Sequence, residues 1–500
     1  MKRILLRFFL PVLFISLIVP GCVVQRSPVT GNKRAYGYSW EQELKIGKQA
    51  DQQIQEQYGI YDNEELLQYV DNIGQEMLEV SHMRREDTPK KYRDTEFTFR
   101  VLDSPVINAF ALPGGYVYVT RGLLAHLDNE AQLAVVLGHE IGHVAARHAS
   151  QRAFEQQVGQ LAVIGGAVVG EEFLGIPGGS ILNLGSQAAQ FLFLSYSRDD
   201  ERESDALGVE YSAMKNYEAA EGSEFFVTLE RMSKQSGQSI PDWQSTHPDP
   251  AERSKRIPRL AEEWRAKGYE QTIQDTDEFM GHIDNIIYGN NPREGFTRDG
   301  SFLHPELAFQ FPYPQNWNVI NQRSLVAVIN ADQDAIAIMR LDSKSESPQA
   351  SVEEFLSQEG ITPGEGAATS YNNLEGYEAT ATGQTQNGQQ IKFYLYSVVY
   401  DGTIYRFITY TTLEQFATYQ PHFEEIAQGF RDLKDQSVLS IQPVRLQVVR
   451  ADRSGSFQSF LPDNYEDFPI DITDKDLAIL NQVNLGDTIE EGQWIKIPRK

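Results

Sequence analysis

The stretch His139-Glu140-Ile141-Gly142-His143 sets two imidazoles and a carboxylate at a spacing that can do chemistry. On a helix, residues four apart lie on one face a turn apart, so both imidazoles can reach one ion. Glu140, beside the first histidine, can reach a water on that ion. This is the H-E-x-x-H arrangement of zinc proteases, with two histidine ligands and a glutamate general base. The competing reading is a buried helix that carries polar residues for another reason. Against it, Leu133, Ala134, Val136, Leu137, Ile141 and Val144 recur at helical spacing around the motif. An unpaired charge and two imidazoles are costly to bury in so apolar a helix. Asp128 or Asn129 is placed to cap its start.

Catalytic zinc takes three protein ligands and keeps a fourth position for water, and two histidines with one glutamate are a standard set. Downstream, Asp199-Asp200-Glu201-Arg202-Glu203-Ser204-Asp205 precedes Ala206-Leu207-Gly208-Val209, a second helix by pattern. Glu201 is the nominated third ligand. Asp205 shares its face at i+4 and is expected to hold a ligand imidazole by its other nitrogen. Glu203, two residues along, points away. Alone, the acidic run would be a solvated helix start favoured by the macrodipole; beside H-E-x-x-H the ligand reading prevails.

Four motifs occur in order: NAFALPGGYVYVTRGLL (108–124), NEAQLAVVLGHEIGHVAARH, SRDDERESDALG and STHPDPAER (245–253). Together they resemble the gluzincin family of zinc metallopeptidases that holds HtpX, the CAAX prenyl proteases and the BepA-type periplasmic proteases. The resemblance spans about residues 25–265. It implies one zinc ion per chain, with the third ligand drawn from an E-x-x-x-D motif that Glu201 and Asp205 match. Ser204 stands where the family usually has Ala. The resemblance also places His247 near the metal, in one of two roles. As a donor to the developing oxyanion its loss would slow cleavage; as a fourth ligand that blocks the water its loss would speed it. Arg253 is expected to pair with a carboxylate nearby. His148, at i+5 from His143, is read as a structural helix residue rather than a ligand. The implied activity is hydrolysis of peptide bonds in proteins or extended peptides, with misfolded envelope proteins as substrates by analogy. The rival is a non-hydrolytic envelope assembly or chaperone-like factor with a structural or latched zinc site.

Other elements must position these residues. Leu66, Leu67, Val70, Ile73, Met77 and Leu78 form the apolar stripe of a helix expected beside the His139 helix. Phe97, Phe99 and Val101 alternate as a strand. Residues 106–111 and 116–120 flank Pro113-Gly114-Gly115 as a hairpin. A strand beside a metal helix can take in an extended peptide by pairing along its edge. Asn108, Ala109, Phe110 and Ala111 are therefore the expected substrate-binding segment, an ordinary edge strand being the alternative. The segment 158–196 holds Gly-rich apolar runs too short to span a bilayer. It reads as packed helices with a flexible turn, a mobile lid, or a membrane-touching loop.

Five hundred residues exceed one core, so several domains are expected, of α+β class overall. Residues 1–21 read as a signal peptide, with Lys2, Arg3 and Arg7 ahead of an apolar run from Phe8 to Val19. The run ends Val19-Pro20-Gly21-Cys22, which resembles a bacterial lipoprotein signal with Cys22, the single cysteine, as the acylated residue. By the sorting rule for such signals, Val23 favours the outer membrane, facing the periplasm. The lipid would anchor the chain to a membrane and leave its catalytic part in solution. The chain carries 44 basic and 70 acidic residues, a net charge of −26 that becomes −29 without residues 1–21. Such a surface repels nucleic acid and anionic lipid. With no cysteine pair, stability rests on packing and the metal.

The expected division is a linker over 22–39, a mainly helical zincin-type metallopeptidase domain with a small edge-strand sheet over 40–265, and a linker over 266–300. An α+β domain over 301–435 and a small tail over 440–500 follow. FLHPELAFQFPYPQNW loosely resembles PsbP-like domains. That region carries no metal or nucleophile constellation, so its expected role is binding or docking. LAILNQVNLGDTIEEGQWIKIP resembles the second half of a LysM-like module, which implies contact with peptidoglycan. SGSFQSFLPDNY departs from the usual start of that module, and structural packing is the alternative.

Overall fold

The computed structural model describes residues 23–163, 196–236, 247, 249–385 and 388–499. The expected signal peptide over 1–21, Cys22 and most of the 158–196 segment lie outside the described residues. Among the described residues no helix is long and apolar enough to cross a membrane.

Residues 22–39, expected as a linker, instead carry a hairpin of β1 (Val23–Arg26) and antiparallel β2 (Lys33–Tyr36). Tyr36 at its end is fully buried, with the Arg147 guanidinium 3.7 Å from its ring centroid. A polar sequence orders here because a partner distant in the chain receives it. Ser39 and Gln42 form a capping box that starts α1 (Trp40–Tyr58). The stripe of α2 (Glu64–Val80) buries Leu66, Val70, Ile73 and Met77. A three-stranded sheet follows, with β3 (Thr98–Leu102) parallel to β5 (Tyr116–Thr120) and β4 (Ala109–Leu112) antiparallel on the other side of β5. The reversal into β5 uses Gly114 and Gly115 at φ 89° and 98°, where a β-carbon is disfavoured.

At the centre lies α3 (Glu130–Ala146), every residue of which is buried. A helix apolar on all sides needs elements on all sides, and α2, β4, α5 (Arg198–Met214) and α6 (Gly222–Ser236) supply them. Between them in sequence, α4 begins at His148 and ends at Val163. Helix α7 (Pro250–Ala266) packs on α5 and α6. Residues 266–300 are not a bare linker: α8 (Thr276–Ile283) buries Phe279, Met280 and Ile283 in the same core as α3, with Ile286 and Ile287. Eight residues are too few for the helical period to stand out in sequence.

Beside a smaller four-stranded sheet, the α+β region holds a sheet of seven antiparallel strands. They are β6 (Asn318–Gln322), β7 (Leu325–Ile329), β8 (Ala335–Asp342), β9 (Thr362–Tyr371), β10 (Leu374–Gln384), β11 (Gln390–Tyr400) and β12 (Thr403–Thr412). Their order is β9-β10-β11-β12-β8-β7-β6. Alternation gives the sheet two apolar faces. One packs Phe407 and Tyr396 with Phe309, Phe311 and Phe423; the other packs Phe393 and Ile408 with Val352 and Phe355.

The tail pairs β13 (Arg445–Arg450) with β14 (Trp494–Arg499) around a short helix, Asp474–Leu480. It is not a detached module. Leu446, Leu477, Leu480 and Ile495 join the core of the α3 region. Lys496, fully buried, donates to Ala125 O at 3.0 Å, Leu127 O at 2.9 Å and Asp128 Oδ1 at 2.7 Å. An ammonium tolerates burial there because its three protons meet three acceptors.

Candidate metal centre

Asn129, not Asp128, caps α3: its side chain accepts from Gln132 N. His139 and His143 then share one face, about three and four turns further on. Opposite them, the Ser197–Asp200 capping box starts α5 and delivers Glu201 and Asp205, both buried, one turn apart. The two helices approach closely because small residues line the seam. A β-carbon on Gly208 would lie 2.9 Å from His139 N, and one on Gly138 would lie 3.1 Å from Gly208 Cα. That approach lets a side chain as short as glutamate span the gap.

The Nε2 atoms of His139 and His143 lie 2.9 Å apart. Glu201 Oε1 is 3.4 Å from His143 Nε2, and its Oε2 is 3.7 Å from His139 Nε2. His247 enters from the segment before α7, with Nδ1 3.0 Å from Glu201 Oε1 and 3.4 Å from His139 Nε2. One ligand atom from each of these four residues falls within 4.8 Å of the others. Glu140, 1% exposed, has Oε1 3.8 Å from His247 Nε2, and neither of its oxygens accepts a hydrogen bond among the described residues.

Burial holds His139 down to about 4, with the Arg253 charge adding to it, and holds His143 well below the ordinary imidazole range. Both rings are therefore neutral, as a metal ligand must be. Burial also pushes Glu140 up to about 7. Burial would raise Glu201 too, but His247 and Arg253 overcome it and keep that carboxyl ionised. Neutral imidazoles, an ionised carboxylate and tight spacing fit zinc, and His139, His143 and Glu201 would hold it.

Around the cluster, Asp205 Oδ1 sits 3.1 Å from His139 Nδ1. Arg253 donates to Asp205 at 3.0 Å through Nε and 2.5 Å through Nη2, and its Nη1 is 2.8 Å from Glu201 Oε2. Its guanidinium also lies 4.1 Å from the Phe226 ring centroid. Ala109, Phe110 and Ala111 lie on β4, at the edge of its sheet and packed against α3, with Asn108 just before them. Three residues that spacing did not bring into the metal site lie near its candidate ligands. Tyr196 stacks on His143 with ring centroids 3.9 Å apart. His148 brings Nδ1 to 2.9 Å from His143 Nδ1, and Glu203 Oε2 lies 3.2 Å from His148 Nε2. The cause is Arg147, which ends α3 in the left-handed region at φ 63° and so turns the chain back. No spacing rule in the sequence announces that turn.

Residues 68–261 match the model of peptidase family M48. The bovine mitochondrial metalloendopeptidase OMA1 is 34% identical over 173 residues, 33% of this chain and 33% of that protein. A putative beta-barrel assembly-enhancing protease of Vibrio cholerae is 29% identical over 217 residues, 43% of each. The chain thus spans a third to somewhat under half the length of these relatives. Among solved structures, cyanobacterial PsbP from Synechocystis aligns with 26% of this chain and 91% of its own, at 11% identity and a TM-score of 0.23.

Proposed function

We propose, from the match of residues 68–261 to the model of peptidase family M48, that this chain is a zinc endopeptidase of the cell envelope, held at a membrane by lipid on Cys22. The observation that carries the hydrolytic reading is the buried Glu140 carboxylate, without a hydrogen-bond donor among the described residues, beside four converging ligand atoms. A site that only stiffened the fold would not need it. When bound, zinc supplies a Lewis acid that brings the pKa of water toward neutrality and stabilises negative charge on the scissile carbonyl.

Glu140 takes the proton from the attacking water and passes it to the leaving amine. A carboxyl pushed up to about 7 suits both halves of that transfer near neutral pH. Asp205, on His139 Nδ1, keeps that ring turned to the cluster, and Arg253 balances the charge of Asp205 and Glu201. An extended substrate would pair along Asn108–Ala111, on the side of the edge strand that meets no other strand among the described residues. Two roles stay open for His247. Its Nδ1 against Glu201 favours a fourth ligand that latches the site, and its Nε2 toward Glu140 favours an oxyanion donor.

Substrates are proteins, and envelope proteins follow by analogy with the Vibrio relative, whose name ties it to beta-barrel assembly. The tail can touch peptidoglycan only through its exposed loops, since its inner face packs on the α3 core.

The test is metal content and casein cleavage by the chain from residue 23, beside Glu140→Gln. About one zinc in both proteins, with chelator-sensitive cleavage by the parent only, establishes the hydrolase. Zinc in both without cleavage, persisting after His247→Ala, instead establishes the non-hydrolytic assembly factor. Activity gained on His247→Ala identifies the latch.

A further inference from the structure

We propose that His148, Glu203 and Arg34 form a hydrogen-bonded relay that fixes the tautomer and direction of His143. The relay rests on the zinc reading of the site and not on its cleaving anything.

His143 turns Nε2 toward His139 and Glu201, at 2.9 Å and 3.4 Å. An imidazole that offers Nε2 to an ion carries its proton on Nδ1. That proton points at His148 Nδ1, 2.9 Å away, which must then be the acceptor. His148 consequently carries its own proton on Nε2, which donates to Glu203 Oε2 at 3.2 Å, with Asp200 Oδ1 more distant at 3.7 Å. Glu203 is held in turn by Arg34 of the β1–β2 hairpin, whose Nη1 and Nη2 lie 3.2 Å and 3.5 Å from its two oxygens. Each proton position dictates the next, so the chain of contacts has one consistent protonation pattern. Ser204 Oγ, 3.3 Å from His148 Nδ1, adds a second donor to the same lone pair. His148 is fully buried, so water does not compete for either nitrogen.

The two metal histidines are thus supported by different devices. His139 meets a carboxylate directly, Asp205 at 3.1 Å. His143 meets one through a second imidazole. Glu203 does point away from the cluster, yet it acts on a ligand through His148. Arg34 makes the hairpin that immediately follows Cys22 a part of the metal site. His148 and Glu203 are positioning residues, since neither touches the ion.

The test measures zinc affinity of the full chain by competition with a chromophoric chelator, alongside melting of the metal-free protein. His148→Phe keeps the ring shape and removes both polar atoms. It is expected to weaken zinc binding roughly 10- to 100-fold, the usual effect of losing an outer partner of a ligand. His148→Gln offers an amide oxygen to His143 and an amide N–H to Glu203, and is expected to restore most of that loss. Glu203→Ala and Arg34→Met are expected to give smaller losses, in that order, with unchanged melting of the metal-free chain. Parental affinity in His148→Phe, or equal loss in the Phe and Gln variants, overturns the relay. If His148→Phe does not fold, Glu203→Ala decides, because its carboxylate is partly exposed: parental affinity there also overturns it. A chain that binds zinc with the expected pattern but cleaves no protein, also after His247→Ala, keeps the relay and removes the peptidase reading.

Discussion

In the seven-stranded sheet, Thr409 donates to Tyr394 O at 2.8 Å, Ser397 to Tyr405 O at 3.3 Å and Thr411 to Asp334 O at 2.8 Å. Across the molecule on α3, both oxygens of Glu140 are buried and accept no hydrogen bond among the described residues. The sheet has orphans of its own, but they are milder: a neutral hydroxyl on Tyr410 and one guanidinium nitrogen each on Arg340 and Arg406. Polar groups placed for stability are satisfied where they stand. A carboxylate buried without a donor costs stability, and such a cost persists where the group serves chemistry. The two regions therefore separate a core built to hold from a core built to react.

The sharpest way to break that contrast is Glu140→Gln. Cleavage is expected to fall by roughly 10²- to 10⁴-fold, while the melting temperature stays level or rises because a buried charge is gone. Paired protease and thermal-melt assays check it. A variant that melts early yet still cleaves would make Glu140 structural. The converse probe is Phe407→Ala on the sheet, fully buried against Phe311 and Phe430. It is expected to lose about 3–5 kcal/mol in that region, followed by Trp317 fluorescence in denaturant, with zinc content and cleavage unchanged. Loss of zinc in that variant would show that the regions are energetically one.

A third probe uses acid. His126, just ahead of α3, donates from Nδ1 to Gly122 O at 2.7 Å, and burial holds it down to about 4, with Lys496 lowering it further and Asp476 opposing. The unfolded chain takes up that proton first, near 6.5. Its contribution is therefore complete above pH 6.5 and lost as pH falls toward about 4, a change on the order of 3 kcal/mol. Denaturant midpoints across that window should slope less steeply in His126→Gln than in the parent, with His139 and His143 keeping the remainder of the slope. Equal slopes would remove His126 from the acid response.

Local spacing carried much of the site into the sequence. His139 and His143 are one helical turn apart, and Glu201 and Asp205 repeat that relation, so neighbourhood alone groups each pair. What spacing could not carry was which distant element closes on which. Glu203 was legible as pointing away from the metal, but its partner His148 depends on the left-handed turn at Arg147. The hairpin after Cys22 looked like linker because its order comes from Arg147 and Glu203, 122 and 169 residues away along the chain from Gln25 and Arg34. Lys496 lies in the stretch that resembles half of a LysM-like module, whereas its three acceptors lie before α3. The sheet was easier, since alternation in 325–329 and 335–341 and the Asp401-Gly402 turn are local signals, matched by β7, β8 and the β11–β12 hairpin.

Acid also gives the smallest test of the contrast, at Asp342 on β8. Ser345 Oγ and Ser351 Oγ donate to it at 2.8 Å and 2.7 Å, and Lys344 N at 3.1 Å. Burial would raise this carboxyl, but these donors, with Arg406 beside them, hold it down at about 2. Here the folded state keeps its charge longer than the unfolded chain, whose carboxyl titrates near 3.8. The contribution is present above 3.8 and lost as pH falls through about 2. Solvent screens part of it, so about 1 kcal/mol is expected. The sheet region carries one histidine held down by burial, His304, against His82, His126, His139 and His143 in the α3 region, so it should lose less stability through the window in which His126 titrates. Asp342→Asn should lower the sheet's denaturant midpoint near neutrality and weaken its dependence on acid below 3.8. A sheet that unfolds before the α3 region as pH falls from 6.5 to 4 would reverse the order, and the two cores would not differ in how they hold their charges.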